Sequence, residues 1–361
     1  MIANPPYGAT LTAEDKRVYR KLYPEVQFKI NTYALFVLLS FALMRENGTS
    51  CYILPNTLLD NYFEDKIREK LLANKITELN DLSDKIFENA VVHSMIIRYS
   101  KNKSQCDNYV KVNTSDTLFG SHIEIPQEYF CQQPYFTFDL RTFNNDSLIA
   151  KLRLNSDRLE DVLDIRQAIK TGDDQRFITD MAVDSSYKPI LRGKDVKRFS
   201  YKSPNLYVYY GRHLACPRTS DIFEQPKILI RESGAKITAT IDRDNYYIMS
   251  SLYNAIPKRK DFSLEFLLGL INSELFQFIM NKLTFEKTKG AFTKAKIFHY
   301  YNLPVKKADK KQQLEVSDIV IEILKRAEEG RDYSSQEKEL NEVIYKLYSL
   351  TPEEIRKVKG E

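Results

Sequence analysis

The stretch that most constrains the fold is residues 1–8, with the sequence MIANPPYG. Ile2 and Ala3 are typical of the end of a buried strand, and the two prolines that follow fix φ and donate no backbone N–H. Each proline also restricts the residue before it to extended conformations. The carbonyls of this segment therefore cannot be used in a helix and remain free acceptors. We predict a rigid polar loop that carries an amide, free carbonyls and an aromatic ring.

These groups could hold a planar ring that bears an amino group, with two acceptors on the amine and one π face against the ring. The stretch resembles motif IV, the Asn-Pro-Pro-Tyr signature of N6-adenine DNA methyltransferases, in which the target adenine is flipped out of the duplex. The resemblance implies a catalytic motif of Asn4, Pro5, Pro6 and Tyr7. The Asn4 side chain and the Pro5 carbonyl would accept hydrogen bonds from the adenine amine, and Tyr7 would stack on the base. The alternative is a proline-rich turn at a strand end.

The order of predicted elements after this loop favours an α/β fold. Apolar periodicity predicts helices over residues 31–47 and 57–73 and strands over 50–54, 75–82 and 91–99, whereas 9–29 show no period and are predicted as a loop. The order is similar to that after motif IV in the methyltransferase family. We therefore expect residues 1–108 to form the C-terminal half of a catalytic domain, with a partial Rossmann-like sheet.

Phe87 lies where this family places a second aromatic side chain against the flipped base. The resemblance implies that Phe87 and Tyr7 stack on the two faces of the adenine, and base–aromatic stacking contributes roughly 1–3 kcal/mol per base. The alternative is that Phe87 is a core residue that precedes a strand.

The family also implies S-adenosylmethionine as cofactor. Its binding needs a glycine-rich turn after the first strand and an acidic residue at the end of the second, and both precede motif IV. The 11 glycines of this sequence include no G-x-G pattern. We therefore expect a fragment that lacks the cofactor-binding half, with unknown cofactor-binding residues and a separate N-terminal methyltransferase polypeptide as a candidate partner.

Composition excludes several other classes of protein. Four cysteines without a C-x-x-C pair and four histidines without ligand spacing predict neither a disulfide framework nor a metal site. The longest apolar run, residues 34–44, is too short to span a bilayer, and the N-terminus has no basic region of a signal peptide. These features predict a cytoplasmic protein with no membrane partner.

Residues 185–305 contain 20 Lys and Arg against 10 Asp and Glu, and they are rich in Tyr and Phe. Such a basic segment is typical of a polyanion-binding surface, although chance clustering on a solvated surface remains the alternative. Short β-rich runs from residue 165 include KPILRGKDVKRF (188–199) and PKILIR (226–231), followed by LLGLINS (267–273) and NLPV (302–305). This series resembles the TaqI-type target-recognition domain of type IIG restriction–modification enzymes. The TaqI-type domain is in turn related to halves of type I specificity subunits.

The resemblance implies an α+β target-recognition domain over residues 151–306 that binds double-stranded DNA. Residues 109–150 are expected to be a connector, with a helix over 148–163. Phosphate contacts position such a domain, whereas base-edge contacts give sequence specificity. The basic residues that we predict to contact DNA are Arg192, Lys194, Lys197, Arg198, Arg231, Lys236, Lys287, Lys289, Lys294 and Lys296.

Residues 307–361 are predicted to be a helical tail, with helices over 314–329 and 335–347 and a helix start at Thr351-Pro352. No nuclease motif stands out. The resulting hypothesis is a site-specific adenine-N6 DNA methyltransferase of a restriction–modification system, present as a fragment. The alternative hypothesis is a non-catalytic, sequence-specific DNA-binding specificity subunit.

Overall fold

The computed structural model describes residues 1–26, 30–82, 93–103, 108–113, 122–138, 140, 147–283 and 295–361. The chain divides into two compact units, Met1–Asp146 and Ser147–Glu361. Together they form a mixed α/β protein with a helical C-terminal tail, which confirms the predicted fold class. Among the described residues, no helix combines the length and apolar character needed to cross a bilayer.

The first unit is built on a six-stranded sheet with the order β1-β2-β4-β3-β5-β6. Strands β1, β2, β3 and β5 run parallel to one another, and β4 and β6 run in the opposite direction. The last two strands belong to this sheet although we expected their residues in a connector. The strands are β1 (Ile2–Ala3), β2 (Thr49–Pro55), β3 (Asn74–Asp81), β4 (Ser94–Lys103), β5 (Tyr109–Asn113) and β6 (Ile123–Pro126).

One face of this sheet carries the core of the unit, which includes Tyr52, Leu54, Ile97 and Tyr99. The helices of the unit are α1 (Ala13–Leu22), α2 (Thr32–Leu43), α3 (Asp65–Leu72) and α4 (Gln127–Cys131), with short 3₁₀ turns at Asn56–Leu59, Tyr62–Glu64 and Pro134–Phe136. Helix α2 is apolar nearly all round, and eight of its 12 residues are buried.

The prediction of a loop over residues 9–29 was wrong for helix α1. Thr12 and Asp15 form a capping box at its start, and Glu14 forms an ion pair with Arg17. The helix buries none of its residues. Local capping therefore stabilises it without the apolar periodicity by which helices are predicted.

The second unit contains two four-stranded sheets, with orders β15-β14-β17-β8 and β16-β10-β13-β9, and two short two-stranded pairs, β11-β12 and β18-β7. Its strands are β7 (Ser156–Arg158), β8 (Leu163–Gln167), β9 (Ile178–Thr179), β10 (Tyr187–Leu191), β11 (Val196–Lys197), β12 (Ser200–Tyr201), β13 (Tyr207–Tyr209), β14 (Lys227–Arg231), β15 (Ala239–Asp242), β16 (Tyr247–Ile248), β17 (Leu252–Pro257) and β18 (Pro304–Lys306).

Most helices of this unit pack on one core, to which the helical tail also contributes. Gly269 on α8 lies against α11, where an added Cβ would approach Val316 Cγ1 to 2.9 Å. The helices are α5 (Ser147–Arg153), α6 (Leu159–Val162), α7 (Asp174–Phe177), α8 (Leu264–Asn272), α9 (Glu274–Leu283), α10 (Ile297–Tyr301), α11 (Lys310–Glu328), α12 (Ser334–Leu347) and α13 (Pro352–Lys359). The predicted helix start at Thr351 is confirmed, because Thr351 and Glu354 form a capping box.

The predicted single helix over residues 148–163 was wrong. Helix α5 ends at Arg153, and Asn155 adopts the left-handed conformation with φ 56°. Asparagine tolerates this conformation better than most residues. It redirects the chain into β7, which pairs antiparallel with β18 before α6 begins. Long-range strand pairing therefore prevails over local helical periodicity here.

Candidate functional site

The predicted catalytic loop follows β1 at the carboxyl end of the parallel strands. In open α/β sheets this edge is where ligands usually bind. Ile2 pairs in parallel with Cys51, and Ala3 pairs with Tyr52, so the loop leaves the sheet beside the end of β2. Asn4 and Pro6 are exposed and Pro5 is buried.

One hydroxyl group ties the loop to the start of α2. Thr32 Oγ1 donates a hydrogen bond to the Pro6 carbonyl at 2.5 Å and accepts one from the Ala9 N–H at 3.3 Å. Neither the Asn4 side-chain amide nor the Pro5 carbonyl has a hydrogen-bond partner among the described residues. The structure therefore holds the loop through Pro6 and leaves these two groups as free acceptors.

Tyr7 is half-buried and packs against the core of the first unit. Its ring meets the Tyr33 ring in an edge-to-face arrangement, with centroids 6.5 Å apart and an interplanar angle of 83°. The Tyr7 hydroxyl is buried and has no hydrogen-bond partner within the part of the chain that the structure describes.

A buried carboxylate lies behind the loop. Glu64 is 3% exposed, and it accepts hydrogen bonds from Asn31 Nδ2 at 2.9 Å and from the Tyr33 hydroxyl. Its second oxygen has no partner among the described residues. Burial raises the pKa of Glu64 above its ordinary value, although the two donors and the Arg68 charge oppose this effect.

Arg68 is the largest fully buried side chain in the described part of the molecule. Its guanidinium donates to the carbonyls of Leu58 and Asn61, at 3.1 and 2.9 Å, and to that of Tyr135 at 2.9 Å. Burial lowers the pKa of Arg68. These contacts fix the segment between β2 and α3, from which Glu64 projects.

Sequence reasoning missed Thr32 and Glu64. Asn31 occupies the N-cap position of α2. Its side chain makes no capping hydrogen bond, however, and instead reaches Glu64, which is 33 residues away. Glu64 is one of four acidic residues in the predicted helix over 57–73, and the sequence does not indicate which of them is buried or what its partner is.

Phe87 lies outside the described residues. A cradle for S-adenosylmethionine is likewise not found among the described residues of the first unit. The glycines with positive φ are Gly172, Gly330 and Gly360, all in the second unit. In the described parts of both units, no group of three or more His, Cys, Asp or Glu is placed to hold a metal ion.

Several predicted DNA-contacting residues gather around one turn of the second unit. The Gly193 N–H donates to Ser251 Oγ at 2.8 Å, and the Glu232 N–H donates to the Ser251 carbonyl at 3.1 Å. Ser251 thus connects the segment that carries Arg192 and Lys194 to the end of β14, which carries Arg231, and to the loop that follows it, which carries Lys236. We call the set Arg192, Lys194, Lys197, Arg231 and Lys236 the basic cluster.

The exposed members of the basic cluster are Lys194, Lys197 and Lys236, whereas Arg192 and Arg231 are half-buried. Arg192 Nε is buried without a hydrogen-bond partner among the described residues. Arg231 and Lys236 also line a small pocket of about 30 Å³ against α9, which Gln277 and Asn281 complete on the opposite side.

The remaining predicted DNA contacts are placed differently. Arg198 is three-quarters buried, and its guanidinium donates to Glu337 at 2.6 Å and to the carbonyls of Ile237 and Asn272, at 2.9 and 2.8 Å. Its donors are thus already used within the domain. Lys296 is half-buried, with Nζ 5.8 Å from the centroid of the Phe298 ring. Lys287, Lys289 and Lys294 lie outside the described residues.

Comparison with known proteins matches two segments of the chain to family models. Residues 1–87 match the family described as Eco57I restriction-modification methylase, and residues 188–305 match the TaqI-like C-terminal specificity domain. The chain therefore combines a restriction–modification methylase region with a specificity domain. This finding confirms the predicted target-recognition domain at the level of the family.

Two curated relatives are type II proteins. The restriction enzyme and methyltransferase RM.Eco57I of Escherichia coli is 25% identical over 162 residues, which cover 43% of this chain and 16% of the relative. The methyltransferase M.AccI of Acinetobacter calcoaceticus is 25% identical over 104 residues, which cover 27% of this chain and 19% of the relative. The matched segments thus span less than one fifth of each relative.

Two solved structures share the fold at low identity. The type IIL restriction-modification enzyme MmeI in complex with DNA matches 97% of this chain and 54% of its own, with a TM-score of 0.58 and 12% identity. A nuclease-deletion mutant of the type ISP enzyme LlaGI, in complex with a DNA substrate mimic, matches 90% of this chain and 34% of its own, with a TM-score of 0.57 and 12% identity.

Proposed function

We propose that this chain binds the target adenine and recognises the DNA site in an adenine-N6 DNA methyltransferase of a restriction–modification system. The observation that carries the proposal is the pair of free acceptors, the Asn4 amide and the Pro5 carbonyl, on a loop that Thr32 fixes through Pro6. The match of residues 1–87 to restriction–modification methylases supports the same reaction class.

The residues of the loop would act on the amine of an extruded adenine. Its lone pair is delocalised into the ring, which makes N6 a poor nucleophile. Hydrogen bonds from the two N–H groups to Asn4 and Pro5 favour a geometry in which the lone pair is localised on nitrogen. Tyr7, with Phe87 on the other face, would hold the base by stacking, which offsets part of the cost of extrusion.

S-adenosylmethionine would be the methyl donor of this reaction. Because the described residues of the first unit form no cradle for it, we propose that a separate N-terminal methyltransferase polypeptide binds the cofactor. Strand β1 supports this proposal, since it lies at the edge of the sheet and Ile2 is 90% exposed. An exposed edge strand offers unpaired backbone groups to a further strand.

The second unit would recognise double-stranded DNA, with the basic cluster on the phosphates. The proposal includes a type IIG-like order of regions along the chain, in which the target-recognition domain follows the methyltransferase region. It assigns no nuclease to this chain. One observation favours a second candidate function, a non-catalytic specificity subunit: the match to the TaqI-like specificity domain covers residues 188–305, which is a longer segment than the methylase match over residues 1–87.

The experiment that separates the two functions begins with selection of duplexes from a random pool by the purified chain. Calorimetry then measures S-adenosylmethionine binding by the chain, with and without a candidate N-terminal methyltransferase polypeptide. Cofactor binding in the mixture supports the methyltransferase. DNA selection without cofactor binding in any mixture supports the specificity subunit, and a failure to select DNA contradicts both functions.

A further inference from the structure

We infer that Thr32 is a positioning residue for the base-binding loop, because its hydroxyl occupies the Pro6 carbonyl and leaves the Pro5 carbonyl to face the adenine amine. The inference rests on the proposed function. An amine with two N–H groups needs two acceptors in fixed places. A third carbonyl free in the same loop would offer the amine an alternative position.

The contacts of Thr32 close a short loop over Tyr7 and Gly8. Its hydroxyl donates to the carbonyl before Tyr7 and accepts from the N–H of Ala9, so both ends of this segment are held by one side chain. Thr32 is 6% exposed, so its own side chain is largely removed from solvent. The same hydroxyl therefore sets the direction of the Tyr7 side chain.

The Tyr7 ring packs on the core of the unit, but few other hydrogen bonds hold this part of the chain. An added Cβ on Gly8 would meet no heavy atom within 4 Å, so the backbone there has no packing neighbour at that position. Within the described residues, the two bonds to Thr32 are the hydrogen bonds that join residues 5–9 to the rest of the unit. Loss of this hydroxyl should consequently loosen the loop without disturbing the sheet.

The position of Thr32 is itself fixed from both sides. The preceding residue, Asn31, donates to Glu64 at 2.9 Å, and the following residue, Tyr33, donates to the same carboxylate. A buried group with two partners flanking Thr32 restricts the first turn of α2. Glu64 therefore acts on the loop only through Thr32 and its neighbours.

The test compares Thr32→Val, which keeps the shape of the side chain, with Thr32→Ser, which keeps the hydroxyl. The probe is a duplex selected from a random pool by the wild-type chain, in which the base next to each adenine in turn is replaced by 2-aminopurine, so that the adenine keeps its amine. The fluorescence of 2-aminopurine rises when the neighbouring adenine leaves the stack. We expect wild type and Thr32→Ser to give the same rise at one position. Thr32→Val should populate the extruded state about fivefold to tenfold less, as for one lost hydrogen bond.

Affinity for the duplex should stay within about twofold in all three proteins, since the basic cluster lies in the second unit. Thermal unfolding and a second variant, Thr32→Ala, check that the effect follows the hydroxyl and not misfolding. Equal fluorescence from wild type, Thr32→Val and Thr32→Ala overturns this inference alone. No fluorescence rise with wild type at any position overturns the proposed function, and the inference with it.

Discussion

The Tyr7 and Tyr33 rings meet edge to face at a centroid distance of 6.5 Å, and the Tyr33 hydroxyl in turn donates to buried Glu64. A residue predicted to stack on a flipped base is therefore connected, through one aromatic contact, to a buried carboxylate. The first two predictions test the two ends of this connection.

The Tyr7 hydroxyl is buried without a partner among the described residues, so its removal should not lower stability. We predict that Tyr7→Phe leaves the free energy of unfolding unchanged or raises it by up to about 1 kcal/mol, since a buried polar group without a partner is unfavourable. Urea unfolding followed by circular dichroism measures the change. In the matched variant Tyr33→Phe, Glu64 loses a donor, and we expect a loss of about 1–3 kcal/mol. A larger loss for Tyr7→Phe than for Tyr33→Phe would contradict this prediction.

Glu64 gives a prediction about pH. Its pKa is raised above the ordinary value of 4.5, so the folded state favours the protonated carboxyl. The contribution of Glu64 to stability is then fully present below pH 4.5 and is lost as the pH rises through the raised pKa. The loss amounts to about 1.4 kcal/mol for each pH unit between the ordinary pKa and the raised one. Relative to Glu64→Gln, the wild-type protein should lose stability between pH 4.5 and neutral pH.

The change can be measured as the free energy of opening of helix α2, whose first turn contacts Glu64. Hydrogen exchange of the α2 amides, corrected for the intrinsic rate at each pH, gives this free energy. Glu64→Gln is a suitable reference because it keeps an acceptor for Asn31 and Tyr33 and cannot ionise. A wild-type advantage that grows with pH would show that the ionised carboxylate is the favoured form.

The basic cluster can be tested through the salt dependence of DNA binding. We predict that Lys194→Ala and Lys197→Ala each weaken binding to many sequences alike. Each should reduce the slope of log affinity against log salt by about 1 for one lost phosphate contact. Fluorescence anisotropy with duplexes selected by the chain provides both quantities. If the slope stays at the wild-type value in both variants, these two lysines do not contact phosphates and the prediction is contradicted.

Arg198→Ala is the matched control within the same segment. The guanidinium of Arg198 is held by Glu337 and two carbonyls, so the loss of these bonds should lower stability by about 1–3 kcal/mol. At a temperature where the variant is folded, we expect its salt slope to equal that of the wild type. A reduced slope with unchanged stability would assign Arg198 to the DNA.

The sequence predicted those features that depend on local chemistry. Two prolines in succession restrict the loop after Ala3 in any fold, and apolar periodicity predicted α2 and β2 to within a few residues of their observed bounds. Helix α1 was not predicted because its stability comes from the Thr12 capping box, which apolar periodicity does not detect. The end of the helix before Asn155 was not predicted because it depends on the pairing of β7 with residues 304–306.

The groups behind the loop were not predictable in the same way. Thr32 is 26 residues from Pro6, and Glu64 is 33 residues from Asn31. A threonine or a glutamate in a sequence does not indicate a distant hydrogen-bond partner, since either residue is equally compatible with the exposed surface of a helix. Only the packing of α2 beside the end of β1 brings these groups together, and this packing follows from the whole sheet.

The most direct test of the central claim is nucleoside analysis of DNA that the chain has modified. The chain, mixed with the polypeptide that confers S-adenosylmethionine binding, is incubated with a selected duplex, and the digested DNA is analysed by mass spectrometry. We predict N6-methyladenine from the wild type and a rate at least about 10²-fold lower from Asn4→Ala, as for other charge-stabilising groups of active sites. Methylated cytosine in place of N6-methyladenine, or an Asn4→Ala rate near that of the wild type, would contradict the assignment of the loop.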